Sequence, residues 1–142
     1  MTTPRIISRL LTAPWFGMAA RVLLTLPYWW SGLTKITNIG GAVAEAQGLG
    51  LRPAVLVVAA TIFVQLAGSL ALILGRWGWL AAGALGVFTA MATLIAHQFW
   101  TISDPVARFG AFNSFLEHGG LIGGLVLAAI LVERDRVSRG VG

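Results

Sequence analysis

The sequence predicts an all-α fold: an integral membrane four-helix bundle with both termini cytoplasmic and two long outer loops. Hydrophobic residues make up 57% of the 142-residue chain and charged residues 11%, with a mean hydropathy of +0.84. A soluble domain averages about 45–50% apolar and about 25% charged, so water is the wrong solvent for most of this surface. The apolar residues are also gathered into four long runs. A helix needs about 20 such residues to cross a hydrocarbon layer of about 30 Å. The basic residues sit between and beside these runs, where positive charge sets membrane topology.

The four spans are expected at about 15–33, 54–74, 77–96 and 116–132, in a single membrane domain covering 1–142. The first contains Arg21 and Pro27, the second has Gln65 as its strongly polar residue, and the third carries no charge. The fourth is bounded by Glu117 and Glu133. Runs of this length exceed the about 9–11 residues of a barrel strand. The first run has a basic start, but Arg21 interrupts it and no small-x-small cleavage site follows, so it is expected to remain as a span.

Gly75 and Arg76 form the expected tight turn between spans two and three, while 34–53 and 97–115 are expected as long loops. Within the first loop, 43–49 suggests a short amphipathic helix lying on the membrane, ended by Gly50 and Pro53. An even number of spans places both termini and the turn on one side. That side carries Arg5, Arg9, Arg76, Arg134, Arg136 and Arg139, against Lys35, Arg52 and Arg108 in the loops. The positive-inside rule then puts the termini in the cytoplasm and the loops outside. The basic residues form no stripe with interleaved aromatics, which argues against nucleic acid as a partner. The absence of cysteine removes disulfides, thiolate nucleophiles, Cys-ligated zinc and iron–sulfur clusters.

Lipid gives no hydrophobic drive between helices, so small residues mark expected interfaces. Gly119, Gly120, Gly123 and Gly124 in span four and Ala82, Gly86 and Ala90 in span three suggest a close crossing. The same stripe would also suit a partner or a second copy. Pro27 removes one backbone hydrogen bond from span one, with Ser31 or a neighbouring helix available to the freed carbonyl.

Two sets of polar residues are candidates for function. Arg21 and Gln65 lie at comparable expected depths and can form an intramembrane pair; snorkelling of Arg21 is the simpler alternative. At the outer end, His97, Trp100, Glu117 and His118 would converge if spans three and four pack. Such a set can hold a quinone headgroup or, less readily, a metal or haem iron. It can equally be interfacial capping, because Glu117 near a helix start is electrostatically favoured. No nucleophile–base pair, phosphate loop or HExxH motif is present, so no catalytic residue is assigned.

In this layout the chain resembles the DoxX/DoxD-like family of small bacterial four-helix membrane proteins, over roughly residues 18–131. The resemblance rests on Arg21 followed by Trp30-Ser31-Gly32-Leu33-Thr34-Lys35, and on Gly50-Leu51-Arg52-Pro53. It continues through Gln65-Leu66-Ala67-Gly68-Ser69, Leu74-Gly75-Arg76, Ala96-His97-Gln98-Phe99-Trp100 and a Gly-rich last span. It implies an integral membrane protein tied to redox systems; named members include a small subunit of a thiosulfate:quinone oxidoreductase, and others are linked to oxidative-stress complexes. Gln65 stands where the family usually has an acid, and Ser69 replaces a second Gly, which weakens a proton-coupled role at that position. The lack of Cys also separates the chain from thiol–disulfide relatives of similar topology.

The leading expectation is a subunit of a redox complex in the bacterial inner membrane, surrounded by lipid and anchoring other subunits or copies. It would contribute to a quinone or small-molecule pocket at the outer face. The alternatives are an oligomeric small-molecule carrier or channel and a purely structural subunit.

Overall fold

A computed structural model describes residues 3–140, and all regular structure among them is helical. The helices are α1 (Arg5–Leu11), α2 (Pro14–Thr37), α3 (Ile39–Gly48), α4 (Ala54–Ile73), α5 (Gly78–Ala96) and α6 (Pro105–Gly140), with a 3-10 turn at Phe99–Thr101. By length and composition, α4, α5 and α6 can each cross a membrane. Helices α1 and α2 qualify only together, bent by 62° at their junction; counted as one broken span, they make a fourth. The polar content of α2, notably Arg21, Thr25, Ser31 and Lys35, accounts for its weaker apolar character.

Two boundaries depart from expectation. The region 97–115 is largely not a loop, because α6 already begins at Pro105. Asp104 caps it, its Oδ2 accepting from the Ala107 backbone N–H at 2.7 Å, with Pro105 in the first turn where a missing N–H costs nothing. Helix α3 likewise starts earlier than the expected 43–49. Asn38 ends α2 and caps α3 by accepting from the Gly41 N–H at 3.0 Å. At its far end, Gly50 N–H bonds Gln47 C=O and Leu51 N–H bonds Ala46 C=O, a Schellman closure that turns Leu51 back under the helix.

The turn between α4 and α5 closes in the same way, with Gly75 N–H to Leu72 C=O and Arg76 N–H to Ala71 C=O. Gly75 has φ +67°, a left-handed conformation that a Cβ disfavours.

Helix α5 packs most extensively on α6, and α2 on α4, each pair antiparallel. Leu72 of α4, Leu85 of α5 and Leu125 of α6 are fully buried at the centre, with Tyr28 of α2, Ala81, Ala82 and Ala128 around them. A second cluster, Ala42, Ala46, Ala54 and Val58, fixes α3 against α4.

The expected crossing of spans three and four is present, but the seam uses a different face. It runs past Gly78 against Val132, through Leu85 and Leu125, to Thr93 against His118. Of the small residues singled out, Ala82 is in the core, Ala90 is half-buried, and a Cβ on Gly86, Gly119, Gly120 or Gly123 would meet open space. Gly124 does accept a close neighbour, but from α2: a Cβ there would lie 2.8 Å from Leu24 Cδ1. In helices that are apolar all round, small residues mark faces that permit close approach without saying which face is used.

Large apolar side chains cover the outside, and tryptophans ring both ends: Trp15, Trp77 and Trp79 near the Gly75 turn, Trp100 near the 97–104 connection. This is the aromatic distribution of a membrane protein.

Candidate functional site

Helix α5 presents Thr89 and Thr93 four residues apart on one face, and His97 ends the helix one turn further on. In an apolar helix a threonine hydroxyl satisfies itself on the carbonyl one turn back. Here Thr89 Oγ1 donates to Leu85 C=O at 2.7 Å, and Thr93 Oγ1 donates to Thr89 C=O at 2.6 Å. Each hydroxyl has then used its single proton and can only accept from elsewhere.

Both do so. Tyr28 Oη lies 2.6 Å from Thr89 Oγ1, and His118 Nδ1 lies 2.7 Å from Thr93 Oγ1. With the threonine protons on those carbonyls, the proton of the first bond is the tyrosine's and that of the second the imidazole's. In that arrangement His118 is protonated on Nδ1 and its Nε2 lone pair is the acceptor left over. The His97 ring stands edge to face against His118, with centroids 5.0 Å apart. The result is a polar row from the middle of the bundle, at Tyr28, to its loop end, at the two imidazoles.

The other two members of the expected outer set do not join them. Glu117 is exposed on α6, and Trp100 is half exposed and packs on Phe99. Phe99 also meets Phe112 and Phe115 edge to face at 5.1 and 5.4 Å. Beside this aromatic group is a cavity of about 360 Å³ lined by Phe99, Ser103, Pro105, Arg108, Phe109 and Phe112. Among the described residues, no three His, Asp or Glu side chains come together in a way that could hold a metal, so the expected His–His–Glu set is not assembled.

A second polar centre lies between α2, α3 and α4. Ser31 Oγ accepts from Lys35 Nζ at 3.0 Å and from Gln65 Nε2 at 3.2 Å, and Lys35 reaches to within 4.0 Å of Glu45 Oε2. Gln65 Oε1 is buried with no hydrogen-bond partner among the described residues. Gly32, in the same motif, lets Leu66 approach: a Cβ on it would lie 2.8 Å from Leu66 Cδ2.

Arg21 takes no part in this centre, so the expected Arg21–Gln65 pair is absent. In the antiparallel register Gln65 faces Ser31, ten residues along α2 from Arg21, or about 15 Å at 1.5 Å per residue. Arg21 instead lies beside the Gly75 turn, its guanidinium 3.4 Å from where a Gly75 Cβ would stand. There it meets the carbonyl end of α4, where a cation is favoured. It shares a cavity of about 200 Å³ with Asp135 and Arg136 of α6.

Residues that carried the sequence resemblance are thus in contact with one another: Ser31 with both Lys35 and Gln65, Gly32 with Leu66, Arg21 with Gly75. A family model described as DoxX matches residues 17–98, more than half of the chain. The chain belongs to the DoxX family.

No curated protein and no solved structure matches it. The DoxX match takes in Tyr28, Ser31, Lys35, Gln65, Thr89, Thr93 and His97, and stops before α6, which supplies His118. Sequence reasoning had passed over Tyr28, Thr89 and Thr93. The available signal was the four-residue spacing of Thr89, Thr93 and His97 in an otherwise apolar run.

Proposed function

We propose that this DoxX-family membrane protein is a subunit of a redox-associated complex and binds a quinone headgroup at its loop end. The observation that carries the reading is the free Nε2 of His118, held in place by Thr93 and backed by the His97 ring. A quinol hydroxyl needs an acceptor of this kind, and the neutral imidazole is the side chain suited to taking a proton near neutral pH. Arg108 donates through Nε to Ile102 C=O at 2.8 Å, which leaves its terminal nitrogens for a quinone carbonyl. Phe99, two residues beyond His97, and the Phe112 ring that meets it edge to face supply flat apolar walls that suit a ring.

In this reading the chain binds and orients the headgroup, and the partner subunit supplies or receives the electrons. The open side of Gly119, Gly120 and Gly123 on α6 is the surface on which a partner helix can approach closely. The bacterial inner membrane, with both termini cytoplasmic, is the placement that the charge bias supports.

Native mass spectrometry of the protein purified gently from its own membranes tests both halves. The reading expects a larger subunit in the complex and a quinone-sized adduct that His118→Ala and Phe99→Ala each diminish. A bare homo-oligomer, or an adduct indifferent to both substitutions, would overturn it.

A further inference from the structure

Beneath α3 lies a second, quite different cavity of about 350 Å³, walled by Ala46, Val58, Phe88 and Ile95 and opening beside Lys35 and Glu45. It shares Val57, Thr61, Phe88 and Met91 with a shallow groove of about 580 Å³ that continues down the outer faces of α4 and α5. That groove is apolar and faces outward, past the exposed Val87 and Met91. From Ile95 to Trp79 the path descends sixteen residues of α5, about 24 Å. One leaflet of a bilayer is about 15 Å deep, half of its hydrocarbon thickness. The path therefore exceeds the depth of one leaflet and is open along its length to an acyl chain entering sideways from the membrane.

The charges at its mouth select the headgroup. Lys35 Nζ gives one proton to Ser31, and its 4.0 Å separation from Glu45 is too long for a hydrogen bond. Two of its three protons are thus without a partner among the described residues. Glu45 is well exposed, its side chain at 63%. A cation and an anion side by side, each unsaturated, match a headgroup that carries both charges. We propose that this cavity binds a zwitterionic phospholipid of the phosphatidylethanolamine type, with one acyl chain beneath α3, the phosphate on Lys35 and the ammonium on Glu45. The site lies between α2, α3, α4 and α5, its lining contains neither imidazole, and it does not depend on the quinone reading.

The test uses the full-length protein reconstituted into vesicles of equal parts phosphatidylethanolamine and phosphatidylglycerol, extracted, and examined by native mass spectrometry. The wild type should retain one phosphatidylethanolamine in preference to phosphatidylglycerol. Glu45→Gln, which leaves the lysine alone at the mouth, should move the ratio of the two by about fivefold toward phosphatidylglycerol. Lys35→Ala should reduce retention of both. Thr61→Trp, at the junction of cavity and groove, should abolish retention while the protein keeps its helical circular dichroism. Retention of the two lipids in their vesicle proportion, or a ratio unmoved by Glu45→Gln, would overturn the proposal.

Discussion

Thr93 Oγ1 and His118 Nδ1 lie 2.7 Å apart across the α5–α6 seam, and the same hydroxyl lies 2.6 Å from Thr89 C=O. With its proton on that carbonyl, the threonine selects the tautomer of His118 that is protonated on Nδ1. Thr93→Val keeps the shape and removes the acceptor, leaving an imidazole N–H unpaired. The loss should be about 1 kcal/mol, the usual size of an interhelical hydrogen bond in a membrane protein. Thermal unfolding in detergent reads the stability, and nitrogen chemical shifts of labelled histidine read the tautomer. A His118 spectrum unchanged in Thr93→Val would refute the assignment.

Gly124 and Gly120 differ by one turn in sequence and entirely in surroundings. A side chain at Gly124 meets Leu24, whereas one at Gly120 meets nothing. Gly124→Leu should cost about 1–3 kcal/mol through overpacking. Gly120→Leu should leave the isolated protein's melting temperature unchanged. Equal effects from the two would mean that the α2–α6 contact is not where it is drawn.

The Gly75 turn makes a similar two-variant comparison. At φ +67°, Gly75→Ala should destabilise by about 1–2 kcal/mol. Gly75→Asn should cost less, because asparagine tolerates the left-handed region better, although its side chain must share space with Arg21. The order Ala below Asn below wild type in melting temperature is the expected result.

Gln65 offers a test of a buried amide. One half of it bonds Ser31, and the other has no partner. Replacing it with leucine removes a bond and an unpaired group together, so Gln65→Leu should change stability by less than about 1 kcal/mol. Ser31→Ala should cost more, since it strips Lys35 and Gln65 of their common acceptor at once. Chemical denaturation of the two variants in matched detergent compares them.

Helices were legible in the sequence because long apolar runs have few other solutions. Their facing sides were not. In lipid the outer and inner faces of α4 and α5 are equally apolar, so hydrophobic periodicity, which orients a helix in a soluble protein, is nearly silent here. The choice of Gly86 and Ala90 over Leu85 and Thr89 is that failure at single-residue scale. The start of α6 was available in Ser103-Asp104-Pro105, a cap followed by a first-turn proline, but the polar residues Arg108, Asn113, Ser114 and Glu117 resemble a loop. At the candidate site His97 and His118 did converge, whereas Glu117 lies on the exposed outside of the same helix as His118. Adjacent positions on a helix lie about 100° apart and do not share a face. The Arg21–Gln65 pair failed through register: counting depth from span ends missed that Arg21 lies at the end of α4, level with Gly75.

Helix α6 runs without a break for 36 residues, about 54 Å, which is well beyond the about 30 Å of hydrocarbon it has to cross. Its far portion carries the exposed bidentate Arg136–Glu133 pair on the same unbroken helix as His118. A protein gripping that end would hold the same continuous element that carries His118, without touching the polar row.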